Sequence, residues 1–403
     1  IRKGLPMHGK GRNPGAEGAL KEDFAQTFVR KDRQPYVAFA ADGRYLPFYQ
    51  CTGNHDHNTA PTIYESVNEY ISFFGPTEYS FNIGKAHIVV VDNILFKNWK
   101  ATGDNNDYTC GLTDGQYQWL LQDLSYVQNK EDKVIFYVCH APFMSAPGDR
   151  DHVQLYNHYA DVLNQLAQFH DAHILSGHSH RWCNYLHKSY ICKSGRPVYE
   201  HNQNAVGGWC WLYGYMCPDG SPQGYCIYDV RGNEVYDWVA KTTLKDADYQ
   251  MRVYNGNQVF TDANSTKYSW TDTYLYPKYA KADFKNSFIV SLWGGDDTHW
   301  TLDLYINGTK YGTLTKVYTI DMCAQSYFKG RFVGYADDAQ HFWYIKTPGN
   351  VDPATVTNWE IRATQTVPSS ANVKHTYKCS VLQTDYSGFA PGTSSSAGGT
   401  QQI

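Results

Sequence analysis

As a string of apolar and polar positions, the chain changes character near residue 242. Before that point, short apolar runs alternate with segments of helical period. Tyr45–Cys51, Ile88–Val91, Val134–Cys139 and His173–Leu175 are β-branched or aromatic runs that predict buried strands. Thr113-x-x-Gln116 has the form of a capping box, and it opens a helix with Tyr117, Leu120, Leu121 and Leu124 on one side. A second helix is predicted over His152–Phe169, apolar at Leu155, Tyr159, Val162, Leu163, Leu166 and Phe169. A third covers Asp23–Arg30, with Phe24, Phe28 and Val29 on its apolar side. Alternation of this kind predicts an α/β layered domain over residues 1–242.

After Lys241 the helical period fades. Strand-like runs follow at Tyr249–Tyr254, Ser287–Leu292, Trp300–Ile306, Gly330–Tyr335, Gln340–Ile345, Thr357–Ala363 and His375–Leu382. Asn255-Gly256, Asn307-Gly308 and Pro348-Gly349 punctuate them as turns, so residues 243–383 are expected to form a smaller all-β sandwich. Residues 384–403 are rich in Ser, Gly and Thr and predict a flexible tail.

Composition narrows the function classes. A length of 403 residues accommodates two domains, and a net charge of −4 removes any electrostatic case for a nucleic-acid-binding surface. No stretch approaches the ~20 uninterrupted apolar residues of a membrane span. The first residue is Ile1 and the opening stretch lacks the form of a signal peptide. With 34 Tyr, 18 Phe and 11 Trp against 18% charged residues, the chain suits an extracytoplasmic β-rich protein, periplasmic, cell-surface or secreted. The simpler account of the rings is that β-sheets favour aromatics. Trp293, Trp300 and Trp343 are candidates for a sugar-stacking face, with core packing the safer expectation. Ten cysteines are present. Cys51 and Cys139 are expected to be buried thiols, whereas Cys183, Cys192, Cys210, Cys217 and Cys226 are candidates for one or two disulfides.

The candidate chemistry sits at the ends of three predicted strands: Gly53-Asn54-His55-Asp56, His140-Ala141-Pro142 and Gly177-His178-Ser179-His180. Imidazole nitrogens and amide oxygens suit Zn, Fe or Mn, and strand-to-loop switches aim them at a common point. Gly53 and Gly177 permit tight turns that bring backbone close to the ions. In an extended segment the period is two, so His178 and His180 are expected on one face.

The order and spacing of these segments resemble the calcineurin-like metallophosphoesterase family. The likeness extends through Phe74-Gly75-Pro76, Tyr79-Ser80-Phe81 and Ile88-Val89-Val90-Val91-Asp92-Asn93, which are similar to members from Bacteroidetes-type bacteria. Gly208-Trp209 and Asp219-Gly220-Ser221-Pro222-Gln223-Gly224-Tyr225 resemble the start of their C-terminal region. Trp300–Tyr305, followed by Asn307-Gly308, fits an attached β-sandwich. The resemblance implies a site of two divalent or trivalent transition metals that activate a water and offset charge on the phosphoryl oxygens. Asn54, His140 and His178 would hold one ion and His180 would contribute to the other. His55 would contact the phosphoryl group or protonate the leaving oxygen, with Asp56 orienting its ring. The family pattern also has an Asp-x-His and a Gly-Asp segment upstream of Gly-Asn-His-Asp. Residues 1–52 carry neither, Asp42-Gly43 having the reverse order. The expectation is therefore a member lacking its front, with the first strand or two of the central sheet absent and sheet edges left exposed.

His57, Asp149, Arg150 and His152 are further candidates to line the phosphate pocket, and His201 and Asn202 are candidates to flank the cleft, with Arg150, His57 and His201 taken as the substrate-binding set. Surface solvation is the plainer role for each of His57, Asp149, Arg150 and His152, and His170, His173 and His187 are read as structural. Asn264-Ser265-Thr266 and Asn307-Gly308-Thr309 match glycosylation acceptors, which matter only in a eukaryotic secretory host. The leading expectation is a hydrolase of phosphomonoesters or phosphodiesters, on a nucleotide-, lipid- or glycan-linked substrate. The rival is a non-catalytic cell-surface glycan-binding protein with a vestigial phosphoesterase domain. A one-metal site of Asn54, His140 and His178 alone would resemble an open zinc site, with weak affinity and little activity.

Overall fold

The computed structural model describes residues 38–39, 45–97, 108–144, 157–206, 216–243, 245–262, 264–270, 283–328 and 338–384. In chain order the first half supplies the strands β1 (Ala38–Phe39), β2 (Tyr45–Leu46), β3 (Tyr79–Ile83), β4 (Ala86–Val90), β5 (Ile94–Phe96) and β6 (Tyr108–Cys110). They are followed by β7 (Val134–Val138), β8 (Asp171–Ser176), β9 (Cys183–Ile191), β10 (Pro197–Asn202), β11 (Gly224–Arg231) and β12 (Glu234–Thr242). Three helices, α1 (Asn68–Phe74), α2 (Asp114–Tyr126) and α3 (Tyr159–Leu166), lie among them.

The apolar runs that read as buried strands meet in a six-stranded sheet of order β3-β4-β7-β8-β10-β9. Its interior pairs β4–β7, β7–β8 and β8–β10 are parallel, and its outer pairs β3–β4 and β10–β9 are antiparallel. The parallel strands are apolar on both sides because both sides are covered. On one side Val89, Ile135, Tyr137 and Ile174 pack with Leu120 and Leu124 of α2 and with Val162, Leu163 and Leu166 of α3. On the other, Ala86, Val134, Phe136 and Tyr199 pack with Val235 and Trp238 of the β11–β12 hairpin. The predicted capping box is present at α2: Thr113 Oγ1 accepts from Gln116 N and Gln116 Oε1 accepts from Thr113 N, at 3.2 and 2.8 Å.

The second half is antiparallel. Its strands are β13 (Met251–Asn255), β14 (Val259–Thr261), β15 (Lys267–Ser269), β16 (Ser287–Leu292), β17 (Trp300–Ile306), β18 (Thr309–Thr313), β19 (Thr315–Ile320), β20 (Asp338–Lys346), β21 (Trp359–Thr366) and β22 (Lys374–Cys379). Two four-stranded sheets form, β13-β16-β20-β19 and β18-β17-β21-β22. One apolar cluster takes Val253, Phe288 and Val290 from the first and Leu302, Leu304 and Ile361 from the second. A further helix, α4 (Met322–Phe328), packs with Phe260 and Trp270 against Tyr254, Ile289 and Phe342 of the first sheet. Across the described residues the protein is mostly β, with four helices.

Several expectations change. The strand predicted over Tyr45–Cys51 is confined to Tyr45–Leu46, and residues 47–52 run on without strand pairing toward the candidate site. The helix predicted over His152–Phe169 spans Tyr159–Leu166 within the described residues. The calls on Asp23–Arg30, Gly330–Tyr335 and the tail from residue 385 lie outside them. The pattern missed β18, whose residues are almost all exposed and so carry no apolar alternation. It also missed α4, buried at Met322, Cys323, Ala324, Ser326, Tyr327 and Phe328, so that no polar face marks a period. A usable signal existed in Asp321, whose Oδ1 accepts from Cys323 N and Ala324 N at 2.7 and 3.1 Å as a cap does. Asn307 and Gly308 do form the tight β17–β18 turn, with φ of 50° and 78°. Trp293, Trp300 and Trp343 are buried, which takes all three away from any sugar-stacking face. Cys183 and Cys192 are free thiols, as are the other seven cysteines among the described residues, while Cys210 lies outside them. No described helix is long and apolar enough to cross a membrane.

Candidate metal centre

Strands β7 and β8 are parallel neighbours, so the loops leaving their C-terminal ends start side by side. Backbone pairing continues past both strands: Cys139 N donates to Leu175 O at 3.1 Å and Gly177 N donates to His140 O at 2.9 Å. This sets His140 beside the Gly177-His178 turn. The third segment arrives from β2 and turns sharply at Gly53–Asp56, where Asp56 Oδ2 accepts from Gly53 N at 2.8 Å and Asp56 N donates to Gly53 O at 3.0 Å. Gly53 is required by contact. A Cβ there would stand 2.9 Å from Nδ1 and 3.0 Å from Cε1 of His140.

Two potential donor atoms lie close to a third. His140 Nε2 lies 2.8 Å from Asn54 Oδ1 and 3.0 Å from His178 Nδ1. Burial, and then the neighbouring imidazoles of His178, His55, His180 and His57, hold His140 well below the ordinary histidine range. Burial, with His180, His55 and Arg181, lowers His178 to about 4. Both rings are therefore neutral at neutral pH and keep a lone pair for a metal or a proton donor. His55 and His180 stand near enough to act on both rings electrostatically.

The His-x-His pair departs from expectation. His178 and His180 do not lie on an extended strand; both follow β8 with left-handed backbone, φ 65° and 57°. Left-handed conformation at a non-glycine residue is unfavourable by about 1 kcal/mol or more and persists where surroundings impose it. Here the surroundings are Asn202, fully buried on β10. Its Nδ2 donates to Gly177 O at 2.6 Å and to Ser176 Oγ at 3.1 Å, and its Oδ1 accepts from Ser179 Oγ. Two residues earlier on the same side of β10, Glu200 holds the other loop. Oε1 accepts from Phe143 N at 2.7 Å and Ser176 Oγ at 3.3 Å, and Oε2 from Met144 N at 3.2 Å. Nε2 of the buried His187, 3.0 Å from Oε2, completes the arrangement.

The remaining candidates divide. His57 is buried rather than solvated, with Nδ1 2.8 Å from Ser66 Oγ and Nε2 3.2 Å from Asp92 Oδ2. His201 is also fully buried and does not flank a cleft. Period two turns it to the opposite side of β10 from Asn202, where its Nε2 meets His173 Nδ1 at 3.0 Å beneath Tyr228 and Trp238. Arg150, Asp149 and His152 lie outside the described residues. Three residues that the sequence reading did not weigh as supports now matter: Glu200, Asn202 and Tyr108, whose hydroxyl is 3.2 Å from His178 Nε2. The available signal was polar Glu200 and Asn202 at period two in an otherwise buried strand.

Among the described residues, no group of three His, Cys, Asp or Glu side chains could hold a metal ion. The cluster has two histidines and takes its third donor from the amide of Asn54. Ligands about 2.1 Å from one ion stand about 3 Å or slightly more from each other, and the separations here are 2.8 and 3.0 Å. Two neutral imidazoles and an amide oxygen also match the borderline donors that Zn, Fe and Mn accept. The residues fit one such ion.

Residues 200–369 match the family model described as the C terminal of calcineurin-like phosphoesterase. The match supports the calcineurin-like metallophosphoesterase family for that C-terminal part of the chain. That family generally uses divalent metals. No curated protein matches the chain.

Proposed function

We propose that this chain is a metal-dependent hydrolase of phosphoesters. The carrying observation is that Asn54 Oδ1 and His178 Nδ1 lie 2.8 and 3.0 Å from His140 Nε2. The family match over residues 200–369 gives that cluster its chemical meaning. We read the six-stranded sheet with its helices as the metallophosphoesterase domain, to about residue 242. The two antiparallel sheets that follow are read as a β-sandwich.

Asn54, His140 and His178 would hold one transition metal, and His180 would serve a second. Such ions lower the pKa of water and neutralise charge growing on phosphoryl oxygens. The chain's own residues do the rest. Burial keeps both imidazoles neutral, so each ring carries a single proton and retains one lone pair. Glu200 and Asn202 hold the two histidine loops in register, which fixes the donors before substrate arrives. His55, beside the donors on the Gly53–Asp56 turn, is assigned the proton given to the departing alcohol oxygen, with Asp56 stabilising that turn. The substrate class is a nucleotide-, lipid- or glycan-linked phosphoester outside the cytoplasm.

The test is to determine metal atoms per chain by elemental mass spectrometry and to assay p-nitrophenyl phosphate and bis-p-nitrophenyl phosphate. Bound Zn, Fe or Mn with turnover, both lost in Asn54→Ala and His140→Ala, supports the proposal. A folded protein that retains less than one ion per chain and hydrolyses neither ester overturns it.

A further inference from the structure

The hydrogen bonds around His178 admit one self-consistent arrangement of protons. Asn54 Oδ1 is an acceptor, so His140 Nε2, 2.8 Å away, must carry the hydrogen between them. That same nitrogen is 3.0 Å from His178 Nδ1, which must then present its lone pair rather than a second hydrogen. A neutral His178 therefore has its single proton on Nε2, and the group that receives it is the hydroxyl of Tyr108, 3.2 Å away. The Tyr108 ring also meets the imidazole edge-on, with centroids 5.8 Å apart and planes at 80°. Tyr108 sits on β6, paired antiparallel to β5 with Ile94 opposite Cys110, so a strand pair separate from both histidine loops supplies this contact.

We infer that Tyr108 is a positioning residue for the metal centre, holding His178 in the tautomer and orientation whose Nδ1 lone pair faces His140 Nε2. The inference rests on the reading of these three residues as metal ligands and adds the device that prepares one of them. A ligating histidine needs its second ring nitrogen anchored by an acceptor, and loss of that acceptor typically lowers metal affinity about 10- to 100-fold. The two histidines also differ in readiness. His178 already carries its proton on the far nitrogen. His140 carries its own on Nε2 and must move it to Nδ1 before Nε2 can bind an ion. Tyr108 thus prepares one ligand of the pair, and the tautomer of the other responds to loading.

The test compares the wild-type chain with Tyr108→Phe, which removes one oxygen and keeps the ring. Zinc affinity is measured by competition with a chromogenic chelator, and the histidine tautomers of the metal-free protein by long-range proton–nitrogen NMR correlation. The expected result has three parts: zinc affinity about 10- to 100-fold weaker in the variant, a Tm within a degree or two of wild type, and a mixed tautomer signal at His178 where wild type has the Nε2-protonated form alone. A wild type that binds zinc through His140, with unchanged affinity and tautomer in Tyr108→Phe, overturns the role of Tyr108 and leaves the ligand assignment standing. A wild type that binds zinc no better than His140→Ala overturns both.

Discussion

At the scale of single residues, the candidate centre depends on what small and buried groups permit. Gly53 leaves room for the His140 ring, and a methyl group there would press on two ring atoms at 2.9 and 3.0 Å. Gly53→Ala should rotate the imidazole away from Asn54 and His178 and lower zinc affinity or hydrolysis by on the order of 100-fold. Thermal stability should change little, so zinc titration alongside a melting curve separates displacement from unfolding. Asn202 is the complementary case. It is fully buried, and its removal leaves Gly177 O, Ser176 Oγ and Ser179 Oγ without that partner. Asn202→Ala should cost about 1–3 kcal/mol in urea unfolding, the range for stranding buried polar groups. It should also loosen His178 and His180 from their left-handed backbone. Wild-type stability in that variant would mean that the turn holds itself.

At the scale of elements, β10 links the two histidine loops. Its side chains at period two, Glu200 and Asn202, reach the loop after β7 and the loop after β8. A carboxylate can accept from several donors at once, whereas an amide offers one acceptor oxygen and two hydrogens. Glu200→Gln would set an amide NH2 against Phe143 N or Met144 N, both donors. The expected outcome is a loss of about 2 kcal/mol together with weaker metal binding, checked by urea titration and zinc competition. Unchanged values for both would remove β10 from the account of the site. The same strand explains why His201 misled the sequence reading: a histidine near a His-x-His segment invites a role in the cleft, but one residue of offset from Asn202 sends it to the other side of the sheet.

At the scale of the whole molecule, buried charge networks tie distant segments together. Arg196 Nη2 lies 3.0 Å from Asp171 Oδ2 and 3.2 Å from Glu234 Oε2, joining β8, the β9–β10 turn and β12. Burial raises the Asp171 carboxyl, but the charges of His173 and Arg196 outweigh it and bring the group to about 2. A folded-state value below the unfolded one of about 3.8 contributes stability that is complete above that value and is lost as pH falls through about 2. The contribution is about 2 kcal/mol. Unfolding free energies measured between pH 5 and pH 2 should fall less steeply in Asp171→Asn than in wild type by about that amount. Equal slopes would exclude Asp171 as a source of the acid sensitivity. A second network crosses into the antiparallel half. Asp219 Oδ2 accepts from Trp182 N at 2.8 Å, just beyond the His-x-His turn, and lies 3.1 Å from His341 Nε2 on β20.

The sequence by itself determined the local choices: the apolar runs of β4, β7 and β8, the capping box at Thr113 and Gln116, the Asn307-Gly308 turn, and the three donor segments in order. These follow from side-chain chemistry and period, which act over a few residues. Only the tertiary structure decided which polar residues of β10 face the histidine loops, that Trp293, Trp300 and Trp343 are core, and that α4 is buried nearly all round. It also decided that His178 and His180 adopt left-handed backbone. That conformation is unfavourable for each residue alone and is held by Asn202, more than twenty positions away in sequence, so no local pattern could encode it.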